Sequence, residues 1–208
     1  MTLPFPIRND ASQASPAARR EIPTAGECEA ILARQRLPKP VIRHSRKVAE
    51  IAMQIADALA ATGLAIDPEL VCAGGLLHDV AKGQPNHAKT GAAILCGLGM
   101  PAVAAVVAVH TEMSFTGAID ERAIVHLADK LASGDRLVTL DERFATALLR
   151  FRDNPDALDA ALRRKAVAQQ IASAIEAKLG APITVILRDS PAIPARQPAI
   201  STVMEAEA

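Results

Sequence analysis

The chain has no tryptophan, no tyrosine and four phenylalanines in 208 residues. Aromatics are 2% of a sequence that is 50% hydrophobic, so the apolar mass is Ala, Leu, Val and Ile. Such a composition implies a core of small aliphatic side chains on helices, and it leaves base stacking little to rest on beyond Phe115 or an arginine plane. The three cysteines, Cys28, Cys72 and Cys96, form no CxxC and are odd in number, which argues against a disulfide framework. Cys72 and Cys96 fall in apolar runs and are expected as reduced core residues. Net charge is also missing: 23 Lys+Arg balance 23 Asp+Glu, so nothing global points to nucleic acid or an anionic membrane. The first 47 residues carry nine Lys/Arg against four Asp/Glu and read as a solvated basic leader. No apolar run reaches the ~18 residues of a membrane span and no signal-peptide h-region is visible, so a cytoplasmic location is expected.

What is present is helical punctuation. Residues 1–24 read as a flexible leader rich in Pro, Ala, Ser and charge. Helices are expected from Glu27 to Arg36 and from Val41 to Ala61, the second with Val41, His44, Val48, Ile51, Ile55 and Leu59 on one stripe. Asp67-Pro68 opens a helix through Leu77 that is apolar nearly all round and is therefore expected to be central. Further helices are expected over His87–Leu98, Pro101–His110, Asp120–Ala132, Leu140–Phe151 and Pro155–Leu179, with a loop over 111–117. Residues 183–187 suit a short strand or a packed extension. The domain expected spans 25–180 with its core at 38–140, followed by a partly disordered extension over 181–208.

All five histidines lie between His44 and His126. His44 shares the apolar stripe of its helix, and His87, His110 and Asp129 fall on the core side of theirs. His78 and Asp79 end the most apolar helix. A lone inward histidine is usually a hydrogen-bonded core residue. Six inward imidazoles and carboxylates together call for a cation to organise them. His126 is set apart, three residues before Asp129, and is expected in a supporting or surface position.

The segments "VIRHSRKVAEIA", "AGGLLHDVAKG" and "AIVHLADKLASGDR" resemble the HD superfamily of metal-dependent phosphohydrolases over about residues 38–140. The resemblance implies an all-α HD-type bundle of roughly seven or eight helices, with mobile terminal extensions. "NHAKTGAAIL" and "VVAVHTEM" look like the further histidine motifs of two-metal members, among them the HD enzymes that split diadenosine tetraphosphate and the HD domains fused to molybdenum-cofactor nucleotidyltransferases. Carried over, it implies His44, His78, Asp79 and Asp129 on one metal, and His87 and His110 on a second, with Asp79 bridging. Eight residues separate His78 from His87, a shorter segment than the dinucleotide hydrolases have, and no GYP triplet follows.

Two divalent ions about 3.5–4 Å apart can share a hydroxide and offset charge on a transferring phosphoryl group. The function expected is therefore hydrolysis of a phosphoester or phosphoanhydride, with a nucleotide or dinucleotide as substrate. A small-metabolite phosphatase or a nucleotide-sensing module with little turnover is the alternative. Mixed His/carboxylate ligation suits Fe, Mn, Zn, Co or Ni. Asp79 and Lys82 are the catalytic candidates. Lys82, Arg136 and Thr111 are the substrate contacts expected, Arg136 because seven residues past Asp129 would put it two turns along the same helix face. Glu112 is placed with Thr111 at the site mouth. Partners expected are a small phosphorylated molecule, without membrane and without nucleic acid, and oligomerisation stays open.

Overall fold

Short polar side chains mark where the helices begin. Asp67, Asp120, Thr139 and Asn154 each accept a backbone N–H at a helix start, and Thr24 and Thr139 form reciprocal boxes with Glu27 and Glu142. The computed structural model describes residues 21–187. In chain order its elements are α1 (Ala25–Arg34), α2 (Lys39–Ala61), α3 (Pro68–Leu77), α4 (His87–Gly97), α5 (Pro101–Ala108), α6 (Glu121–Lys130), β1 (Ala132–Ser133), β2 (Arg136–Leu137), α7 (Leu140–Arg150), α8 (Pro155–Leu179) and α9 (Ile183–Ile186). The fold is all-α. Most of the expected leader, and the tail from 188, lie outside the described residues.

The nearly all-apolar α3 is central, packed against α1, α2, α5 and α6. Its Gly74-Gly75 pair lets two layers close on it. A Cβ on Gly75 would lie 2.6 Å from Ala49 Cα of α2, and one on Gly74 would lie 2.7 Å from Val106 Cγ1 of α5. The buried stripe of α2 (Val48, Ile51, Ala52, Ile55, Leu59) joins Ile124 and Leu127 of α6 and Ile171 and Ile175 of α8 in the larger core. A second cluster fills the space between α1, α3, α4 and α5.

Local details depart from expectation or settle it. Helix α6 stops at Lys130, two residues early, and the chain turns back as an antiparallel hairpin pairing Ala132 with Leu137 and Ser133 with Arg136. Gly134 sits at φ +60° in its tight two-residue loop, a conformation glycine adopts without strain. Of the two forms expected for residues 183–187, the packed extension is found, as a helical turn over 183–186 with Ile183 and Leu187 buried. Cys96 is exposed, because the buried face of α4 runs through Ala88, Gly91 and Leu95, and Cys72, on α3, is half-buried against the second cluster; Cys28, on α1, is the fully buried thiol. Burial pushes the Cys28 thiol up to about 12, leaving it unreactive. Among the described residues no helix is long and apolar enough to cross a membrane.

Candidate metal centre

Six side chains meet where the ends of α3, α4 and α5 approach the first two turns of α2 and the end of α6. His44 comes from α2 and Asp129 from the last turn of α6. His78 and Asp79 follow directly on α3, His87 is the first residue of α4, and His110 lies two residues past α5. Four rings stand in a row in the order His44, His78, His110, His87, with neighbouring centroids 5.2, 5.1 and 5.1 Å apart.

Three of these imidazoles are pinned from behind. Each has Nδ1 against a backbone carbonyl: His44 to Gly134 at 3.0 Å, His78 to Gly75 at 2.8 Å and His110 to Val107 at 2.7 Å. A carbonyl only accepts, so Nδ1 donates and the Nε2 lone pair points the other way. It points at carboxylates. His44 Nε2 is 3.0 Å from Asp129 Oδ1, His78 Nε2 is 3.5 Å from Asp79 Oδ2 and 3.7 Å from Asp129 Oδ1, and His110 Nε2 is 3.4 Å from Asp79 Oδ1. His87 Nε2 lies 3.2 Å from both Asp79 Oδ1 and His110 Nε2.

Lone pairs facing lone pairs at these distances repel unless a proton or a cation lies between them. His78 Nε2 is fully buried with no hydrogen-bond partner among the described residues, a position that is unfavourable for a polar atom left to itself. The ligand atoms form two groups, His44/His78/Asp129 and Asp79/His87/His110, each within 4.8 Å. Nitrogen and carboxylate donors oriented by bonds to their far side are the chemistry of a divalent transition-metal site, and these residues fit one. Asp79 turns Oδ2 to the first group and Oδ1 to the second, the disposition of a bridging carboxylate.

Electrostatics favour the metal-binding form at Asp79, Asp129, His87 and His110, with His78 the exception. Burial alone would raise the Asp79 carboxyl, but His110, His78 and Lys82 hold it far below the usual range. Asp129 is likewise held low against burial by Lys130, His44 and His78. Burial lowers His87 and His110, favouring the neutral form that a metal requires. Burial opposes charge on His78 too, yet Asp79 and Asp129 outweigh it and raise this imidazole.

A cleft of about 240 Å³ opens beside the groups, and His44, Asp79, Lys82, Ser133, Gly134 and Arg143 stand among its lining. Lys82 follows Asp79 through a tight turn and places Nζ 3.0 Å from Asp79 Oδ2. Other expected contacts lie elsewhere. Arg136 is exposed on β2, because α6 ends before the helical count can carry it to the site. It adds to the bonds from Thr139 that lower the Glu142 carboxyl. Thr111 is half-buried outside the cleft lining, and Glu112 accepts from Arg164 of α8 at 2.8 Å instead of facing the site. Phe115 packs on the larger core and lines a separate depression.

His126 is buried rather than on the surface, with Nδ1 on the Val109 carbonyl at 3.2 Å. It belongs to neither group. Burial, followed by Lys130, lowers it to about 4. Three contributors escaped sequence reasoning. Gly134 orients His44 through its carbonyl, and its Gly-Asp dipeptide is a recognisable hairpin signal. Lys130 is buried, 2.6 Å from Asp129 Oδ2 and 2.9 Å from the His110 carbonyl, with nothing in its sequence position to announce it. Arg143 reaches the cleft from α7.

A profile of the HD domain matches residues 41–134. The chain is 30% identical over 172 residues to a tRNA (cytidine(56)-2'-O)-methyltransferase of Picrophilus torridus, covering 73% of this chain and 47% of that protein. It is also 30% identical over 122 residues to an uncharacterized protein of Methanocaldococcus jannaschii, covering 49% of this chain and 72% of that one. The chain thus spans about half the length of the first relative and nearly three quarters of the second. No solved structure matches.

Proposed function

The chain belongs to the HD-domain superfamily, and from that premise we propose that it is a metal-dependent phosphohydrolase acting on a phosphoester or phosphoanhydride of a small molecule. The observation that carries the reading is the set of pinned histidines, whose Nε2 atoms face Asp79 and Asp129 at 3.0–3.7 Å. His44, His78 and Asp129 would hold one divalent ion and His87 and His110 a second, with Asp79 between. Fe, Mn, Zn, Co and Ni all suit these donors. When bound, such ions supply a nucleophile near neutral pH and offset charge on the phosphoryl oxygens.

The chain's own groups do the rest. The carbonyls of Gly134, Gly75 and Val107 hold three imidazoles in register, so these three donors are oriented before loading. Lys82, half-exposed at the cleft, is within reach of a phosphate oxygen once its contact with Asp79 loosens. Water attacks phosphorus, the bond from phosphorus to the leaving oxygen breaks, and a proton passes to that oxygen. Nucleotides are the first substrate class to test. A compact phosphate ester is the second, favoured by a cleft of about 240 Å³ whose one ring is the metal-ligand candidate His44. The tRNA chemistry in the name of the P. torridus relative is not carried across, since less than half of that protein is matched.

Phosphate release from a panel of nucleotides and small phosphate esters, by metal-loaded wild type and Asp79→Ala, tests the reading. Wild type should release phosphate and Asp79→Ala should lose about a hundredfold or more. Release that survives Asp79→Ala would sink the assigned centre, and bound metal with no release from any ester would favour a sensor.

A further inference from the structure

Two cations line the cleft, and they differ in one respect. Lys82 is already held by Asp79, Nζ 3.0 Å from Oδ2. Arg143 lines the same cleft, and among the described residues its guanidinium makes no hydrogen bond or ion pair. Its backbone is fixed: the Thr139–Glu142 box sets the start of α7, Arg143 N donates to the Thr139 carbonyl at 3.0 Å, and neighbouring Phe144 is buried. A fixed helix turn therefore places an exposed, unpaired arginine at the cleft.

A guanidinium has five N–H donors and no acceptor, so it contributes nothing to holding a cation; its complement is a carboxylate or a phosphate. The protein carboxylates of the site are engaged, Asp79 by Lys82 and Asp129 by Lys130 and His44. The rest of the lining is Pro40, Val41, His44, Ala132, Ser133 and Gly134, and its one ring, His44, is held by Asp129. The volume of about 240 Å³ falls below the range of roughly 300–1,000 Å³ usual for pockets that enclose drug-sized ligands. Arg143 also lies on α7, beyond the segment 41–134 that the family profile matches.

We propose that Arg143 is the anion anchor of the cleft, binding non-bridging oxygens of a dianionic phosphate monoester on a compact, ring-free carrier. The assignment rests on the phosphohydrolase reading for its chemistry, though not for its anion. A monoester carries two charges and three non-bridging oxygens, enough for Arg143 and Lys82 together. A diester has one charge and two such oxygens and matches the pair less well.

Calorimetric titration of the metal-loaded full chain with inorganic phosphate tests the anchor, with glycerol 3-phosphate and bis(p-nitrophenyl) phosphate compared as substrates. Arg143→Ala should weaken phosphate binding about tenfold to a hundredfold with unchanged metal content. Arg143→Lys should recover part of it, and Arg163→Ala on α8 should bind as wild type does. The monoester should be the better substrate, and Arg143→Ala should raise its KM more than it lowers kcat. Equal phosphate binding by wild type and Arg143→Ala, or none by wild type, overturns the anchor. Preference for the diester overturns the substrate class. Arg143-dependent phosphate binding without hydrolysis of either ester retires the phosphohydrolase reading and leaves the anchor standing.

Discussion

Lys130 Nζ lies 2.6 Å from Asp129 Oδ2 and 2.9 Å from the His110 carbonyl, so one buried ammonium touches a residue of each candidate ligand group. It occupies the Asp129 oxygen that does not face the histidines and so keeps Oδ1 turned to His44 and His78. Replacing it by a side chain of similar size, Lys130→Met, should lower divalent-metal affinity about tenfold to a hundredfold while circular dichroism stays helical. Competition titration against a chromogenic chelator checks it, and unchanged affinity would mean that His44 alone positions Asp129. His126 makes a separate prediction. Its folded value of about 4 lies below the ordinary 6.5, so between those values the unfolded chain binds more protons. Stability from this residue is therefore complete above pH 6.5 and lost as pH falls toward 4, by about 3 kcal/mol at most. Urea unfolding of metal-free protein across that range should show a shallower loss for His126→Gln; parallel curves would contradict the assignment. Residues whose chemistry shows in their type, the histidines and aspartates, were legible at this scale. Lys130 was not, because a lysine beside an aspartate in sequence ordinarily faces water.

Helix α3 does for the elements what Lys130 does for the ligands. Its Gly75 both admits α2 to contact and gives its carbonyl to His78. A Gly75→Ala methyl would meet Ala49 Cα, a backbone atom that cannot rotate away, at 2.6 Å. The substitution should cost about 1–3 kcal/mol and loosen metal binding by moving His44 from His78, whereas Gly97→Ala, which meets nothing within 4 Å, should be neutral or mildly stabilising. Thermal unfolding of the two variants with and without metal checks the contrast. Helix limits could be read from Asp67-Pro68, Asn154-Pro155 and Gly180 because caps and breakers act locally. The hairpin after α6 was overrun because the apolar periodicity of "AIVHLADKLA" continues past the true end of the helix. Once the chain reverses at Gly134-Asp135, counting helical turns from Asp129 no longer locates Arg136, and Arg143 lines the cleft instead.

At the scale of the molecule, the centre ties together parts of the chain far apart in sequence: His44 and Asp129 are 85 residues apart and their side chains lie 3.0 Å apart. That a fold would bring these residues together could be anticipated from their residue types and spacing. Which oxygen of Asp79 serves which group could not, since it depends on how α3, α4 and α5 end against one another. The claim everything else depends on is that facing acceptors are reconciled by bound cations. Metal content per chain, measured by mass spectrometry after exhaustive dialysis of wild type and Asp79→Ala, tests it most directly. The account predicts close to two divalent ions per wild-type chain, one for each ligand group, and the loss of at least one in Asp79→Ala. A wild-type chain without stoichiometric metal, or an Asp79→Ala chain that keeps its full complement, would contradict it.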